Sequence, residues 1–139
     1  MLFLILFIPL VSSGSDPDSL LSIWQSNMSS DEEKFQAIHA LITDYYLAGD
    51  PDSALILSEM QLGLARESGN RFVEMQALLS KGRAYYYKSS YNESLSFLQR
   101  SLELSMELDD RDNRPEIYRM IGIVFEAQGT LKRAWNTIY

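Results

Sequence analysis

The feature that most limits what this chain can fold into is a spacing of 40 residues that recurs along it. Tyr45, Tyr85 and Phe125 stand at that interval, and so do Ala54, Ser94 and Ala134, Ile38, Leu78 and Tyr118, and Gly49, Ser89 and Gly129. Self-similarity at a fixed period of roughly 20 to 50 residues marks a stacked repeat array, in which each unit buries its apolar face only against its neighbours. The expected fold is therefore all-α, a small solenoid of antiparallel helical hairpins, and its function is to be sought on a surface.

Helix signals divide the chain in order. Asp16-Pro17-Asp18-Ser19 opens a short helix, with Asp as N-cap, Pro at the first helical position and early acids suiting the helix dipole; Leu20, Leu21, Ile23 and Trp24 give it an apolar side. Ser30 with Glu33 forms a capping box, and the spacing of Phe35, Ile38, Leu41, Ile42 and Tyr45 predicts a helix from Asp31 to about Ala48, ended by Gly49. Asp50-Pro51-Asp52-Ser53 repeats the start signal for a helix to about Ser68, closed by Gly69-Asn70. A second pair is predicted over 71–88 and 91–108, the latter capped by a box of Ser90 and Glu93. A third begins near Pro115, breaks at Gly129 and restarts with Thr130 as cap, so that caps stand in register at Asp50, Ser90 and Thr130. The resulting division is 1–14, an apolar leader; 15–30, a helix and linker; 31–70 and 71–114, two full repeats; and 115–139, a third, truncated one.

The leader Met1–Val11 is an unbroken apolar run followed by Ser12-Ser13-Gly14-Ser15. At about 1.5 Å per residue it is too short for the roughly 30 Å of hydrocarbon a spanning helix must cross. It reads as the apolar region of a secretory signal peptide with cleavage near Ser13 or Gly14, although no Lys or Arg precedes Lys34. A buried N-terminal element and an uncleaved anchor are the alternatives. The formal charge of −7 and pI near 4.6 argue against electrostatic capture of nucleic acid or anionic membrane. With no cysteine, disulfides, thiolate metal sites and cysteine nucleophiles are excluded.

Within the period, Gly122, Phe125, Ala134 and Ile138 form a frame of a small residue, an aromatic, a small residue after the turn and a bulky one. Gly82, Tyr85, Ser94 and Leu98 repeat it, and Ile42, Tyr45, Ala54 and Ser58 follow it loosely. This frame resembles the tetratricopeptide repeat, over roughly residues 31–139. The small residue lets two backbones approach while the aromatic ring fills the gap beside them, so packing fixes these types. The unit is longer than the usual length of about 34, Ile42 and Ser58 depart from the pattern, and no proline closes the second helix of a unit. HEAT and armadillo repeats share the longer period; the turn-flanking glycines and the small-residue frame favour tetratricopeptide. Taken with the leader, the helix of 18–27 and the phrase from Tyr45 to Ala54, the stretch is similar to the N-terminal tetratricopeptide arms that bacterial adenylate or guanylate cyclases and sensor histidine kinases carry outside the inner membrane. That resemblance implies an exported, periplasmic or extracytoplasmic setting in a signalling protein.

Candidate chemistry is sparse. His39 is the only histidine and has no cysteine or second imidazole to join it in a metal site. Glu107, Asp109, Asp110 and Asp112 lack the alternation and glycine of a calcium loop. No phosphate loop or serine elbow occurs, and no catalytic residue, cofactor or metal is assigned. In tetratricopeptide proteins the first-helix face turned away from its hairpin partner lines a concave groove. The resemblance places His39, Thr43 and Tyr46, then Leu79, Arg83 and Tyr86, then Arg119, Ile123 and Glu126 there, a palette able to anchor a peptide or an amphipathic helix. The expected function is a non-catalytic protein- or peptide-interaction module, with membrane contact only through the leader or a further segment. The alternative is a free-standing secreted or periplasmic scaffold that self-associates through an uncapped C-terminal end carrying Trp135, Ile138 and Tyr139.

Overall fold

The computed structural model describes residues 16–138, and from Thr130 onward only the side chains of Lys132 and Asn136. The leader, Tyr139 and the side chains of Ala134, Trp135 and Ile138 lie outside the described residues. The fold is all-α. Its elements are α1 (Pro17–Gln25), α2 (Asp31–Ala40), a π-helical turn that prolongs α2 (Leu41–Tyr46), α3 (Pro51–Ser68), α4 (Arg71–Tyr87), α5 (Tyr91–Glu107) and α6 (Arg114–Ile138). α4 begins forty residues after α2, and α5 forty after α3. Among the described residues no strand is present and no helix is long and apolar enough to cross a membrane.

The start signals act as the sequence implies. Asp16 accepts from the Ser19 amide at 3.0 Å, Asp50 from Ser53 at 3.2 Å and Asn70 from Val73 at 3.1 Å. Ser30 and Glu33 exchange both bonds of a capping box, at 2.8 and 3.3 Å. Gly69, at φ 69°, closes α3 in the left-handed conformation that glycine adopts without strain.

Three expectations fail for local reasons. Ser90 caps α5 without a side-chain bond. Its own amide already donates to the Tyr85 carbonyl at 2.9 Å, so the donor that Glu93 would have satisfied is taken. The helix of 31–48 is not uniformly α. Over Leu41–Tyr46 it widens to a π turn, where Leu47 N–H reaches the Ile42 carbonyl at 2.9 Å and the Thr43 hydroxyl donates to the His39 carbonyl at 3.0 Å. The third break is missing, since α6 runs without interruption past Gly129 and Thr130 to Ile138. A glycine inside a helix costs only about 1 kcal/mol, whereas leaving the helix forfeits several backbone hydrogen bonds that only a docked return helix offsets.

Helices pack on their neighbours in sequence, and α4 also touches α6. The core is correspondingly strung out. Leu20, Ala37 and Leu41 tie α1 to α2; Phe35, Ala65 and Val73 join α2, α3 and α4; Leu62, Met75, Leu78 and Leu104 link α3, α4 and α5; Leu79, Leu98, Ile117, Met120 and Val124 bring in α6. At Gly82 the α4 and α5 backbones come so close that an added Cβ would lie 2.6 Å from Leu98 Cγ. The Ser94 hydroxyl donates to the Gly82 carbonyl at 2.7 Å, and Ser101 to that of Met75 at 2.9 Å. Tyr85 stacks on Phe97 at 5.4 Å. The same filling role fails for Tyr45 and Phe125, which are 40% and 56% exposed, and Gly122 has nothing near it.

Candidate interaction face

α4 lies between α2 and α6, and its side chains divide accordingly. Ala84 packs with Ile38 and Ile42 on one side, whereas Leu79 and Tyr86 join Ile117, Met120 and Val124 on the other. Arg83 emerges between them, half-buried, and makes no hydrogen bond or ion pair among the described residues. Its charge is felt on both flanks, by His39 of α2 and by Glu116 of α6. Glu116 is held in turn by Arg119, whose Nε and Nη2 donate at 2.7 and 2.6 Å. That bidentate bond is the main reason the Glu116 carboxyl lies below its usual range and the Arg119 guanidinium above its own.

His39 is mostly buried, and its Nδ1 has no hydrogen-bond partner among the described residues. Burial lowers its pKa first and the Arg83 charge lowers it further, with Asp44 opposing. Above the ordinary imidazole value the ring is neutral in both folded and unfolded chains. As pH falls through that value the unfolded chain takes up a proton that the folded one resists, so stability should fall with pH. Urea midpoints between about pH 7.5 and 5 should decline in the wild type and decline less in His39→Gln. The carboxyls of Asp16, Glu33, Asp50 and Glu116 are shifted downward and titrate at lower pH, outside this window. Equal slopes in the two proteins would remove His39 as the cause.

The nine residues placed on this face by sequence have different surroundings. His39, Arg83 and Arg119 belong to one polar track, completed by Asp44, Glu116 and Tyr87. Leu79, 8% exposed, and the partly buried Tyr86 and Ile123 form the apolar floor beneath it. Tyr86 also meets Tyr87 at 5.4 Å and Tyr91 at 6.1 Å. Thr43 is occupied with the His39 carbonyl. Tyr46 packs against the cluster of Ile38, Ile42 and Ala84 and also between α1 and α3, where it lines a hollow of about 150 Å³ with Leu21, Ser53, Ile56 and Leu57. Glu126 is exposed on α6. Glu116 was legible as the partner three residues before Arg119, a spacing at which helical side chains meet. Asp44 and Tyr87 carried no comparable signal.

Among the described residues no three His, Asp or Glu side chains converge as a metal site would require. What the track offers is a cation seated beside an apolar floor. No known family and no curated protein matches the chain.

Proposed function

We propose that this chain is a non-catalytic peptide- or protein-interaction module of the tetratricopeptide type, an α-solenoid of about 40-residue period that receives its partner along α2, α4 and α6. The matched starts of α2 and α4 and of α3 and α5, together with the close approach of α4 and α5 at Gly82, support the repeat reading. The observation that carries the binding reading is Arg83. A half-buried guanidinium with no acidic partner among the described residues gains most from a carboxylate brought by a ligand. Glu116 does not fill that role because Arg119 already holds both of its oxygens.

The partner that suits the track is a peptide with an acidic side chain beside an apolar one, the acid for Arg83 and the apolar group for the partly buried Tyr86 and Ile123. The setting we propose is the extracytoplasmic sensory or docking arm of a larger signal-transduction protein, a reading motivated by the apolar leader. A peptide array probed with the protein tests the binding surface. Peptides pairing acidic with aromatic or aliphatic residues should be selected, and Arg83→Glu should weaken them by about tenfold or more while helicity is kept. Arg83→Lys should retain part of the affinity. Selection unaffected by Arg83→Glu would move the site off this face.

A further inference from the structure

α2 and α4 meet through Ile38 and Ile42 on one helix and Ala84 on the other. The residues next to that contact are His39 and Arg83, so an imidazole and a guanidinium stand across one helix interface from each other. Neither has an acid bonded to it. Arg83 makes no hydrogen bond or ion pair among the described residues, and the buried Nδ1 of His39 has no partner among them. The nearest acids are engaged elsewhere. The Asp44 carboxylate accepts from the Thr43 hydroxyl at 2.9 Å, and both Glu116 oxygens are held by Arg119.

Among the described residues, charge reaches the imidazole from two elements. Arg83 of α4 opposes its protonated form and Asp44 of the π turn favours it, whereas α1 and α3, which also pack on α2, bring no charge to bear. Burial outweighs both and acts with Arg83, so the free protein keeps the ring neutral to lower pH than an exposed histidine would be.

On the reading of α2, α4 and α6 as the receiving face, we infer that the acidic side chain of a bound peptide lies between Arg83 and His39 and that its arrival is coupled to uptake of one proton by the imidazole, so that binding tightens as pH falls from neutral. A carboxylate placed there cancels the guanidinium charge that opposes imidazolium and attracts the imidazolium itself. The coupling is reciprocal: whatever the carboxylate adds to the hold on the proton, the proton adds to the hold on the carboxylate. His39 therefore titrates higher in the complex than in the free protein. The gain in affinity is complete below the free protein's value and is lost as pH rises through that of the complex. The peptide's own carboxyl, with an ordinary value of about 4, stays ionised between neutral pH and about 5.5. Acid weakens the fold through the same histidine, so partial unfolding would loosen binding and cannot imitate this trend.

The chain has a single histidine, so one imidazole signal in the proton NMR spectrum of the full chain reports one titration. The probe is the tightest peptide selected on the array, made with an acetylated N-terminus and an amidated C-terminus so that its only carboxylates are on side chains. Its affinity should rise about fivefold between about pH 7.5 and about pH 5.5, and the His39 signal should titrate at higher pH in the complex than in the free protein. In His39→Gln, which cannot take the proton, the affinity should not vary with pH over that range. Arg83→Gln should by itself move the His39 titration upward in the absence of any peptide. A peptide that needs Arg83 but binds equally well across the range would overturn the coupling and leave the peptide site standing. The same pH slope in wild type and His39→Gln, or a His39 titration unmoved by the peptide or by Arg83→Gln, would overturn it equally. An array that selects no Arg83-dependent peptide would remove the receiving face itself, and the coupling with it.

Discussion

Replacing Gly82 by leucine is expected to cost about 3 kcal/mol of stability, read as a large drop in the urea midpoint with a matching loss of thermal stability. The space is already taken. A Cβ alone would stand 2.6 Å from Leu98 Cγ, 2.7 Å from Cδ2 and 3.3 Å from the Leu98 amide nitrogen, so α5 must move, and moving it strains the Ser94 bond to the Gly82 carbonyl. The first hairpin shows how the fold accommodates a large residue here. Ile42 and Ser58 stand forty residues before Gly82 and Leu98, both fully buried, with the bulk on the other partner. The Ser58 hydroxyl is satisfied by the Ala54 carbonyl at 2.7 Å. Gly82→Ile combined with Leu98→Ser should therefore recover much of what Gly82→Ile alone loses. A Gly82→Leu protein within about 0.5 kcal/mol of the wild type would show the α4–α5 contact to be soft and the steric account wrong.

A change in the opposite direction is expected at Gln61. Its side chain is fully buried, and neither the amide nitrogen nor the oxygen has a hydrogen-bond partner among the described residues. An unmet buried polar group costs about 1 to 3 kcal/mol. Forty residues on, Ser101 answers the same problem by donating to the Met75 carbonyl. Methionine keeps the unbranched shape of glutamine without its polar atoms, so Gln61→Met should raise stability by about 1 to 2 kcal/mol with an unchanged denaturant slope. A lower midpoint would mean that the amide is satisfied by a group such as an internal water, and the argument from unmet polarity would fail.

The parts of the fold legible in sequence are those controlled within a few residues. Asp16, Ser30, Asp50 and Asn70 each announce a helix start because capping is a contact made three residues away. The Gly82–Leu98 contact was legible because a period lets one hairpin be read against another. Where several arrangements satisfy the same residues, sequence was ambiguous. The π turn at Leu41–Tyr46, where the Thr43 hydroxyl lies 3.0 Å from the His39 carbonyl, is a local widening that no pattern of apolar residues encodes. Gly129 ends a helix only if a returning helix docks, and glycine itself permits either outcome. Ser90 failed as a box because the preceding helix had already used its amide.

The candidate face was reached by the same logic. Stepping by the period brought His39, Arg83 and Arg119 to one track, since each lies on the helix that opens its unit. It placed Tyr46 on the same face, and that ring lies in the π turn and packs between α1 and α3 as well as against the cluster of Ile38, Ile42 and Ala84. It also placed Leu79 on an open surface, whereas α6 covers it. Contact with the next unit is tertiary information that no single helix displays.

The sequential packing of the helices has a consequence for how the molecule comes apart. α4 is bounded by α3, α5 and α6, whereas α1 rests almost wholly on α2 and the π turn behind it. Fraying at the α1 end therefore removes one set of contacts at a time and leaves the middle intact. Helices packed in sequence in this way form a graded reservoir of order, loosest at the rim and firmest at the centre, so a ligand that bridges α2, α4 and α6 would act as a clasp across several elements.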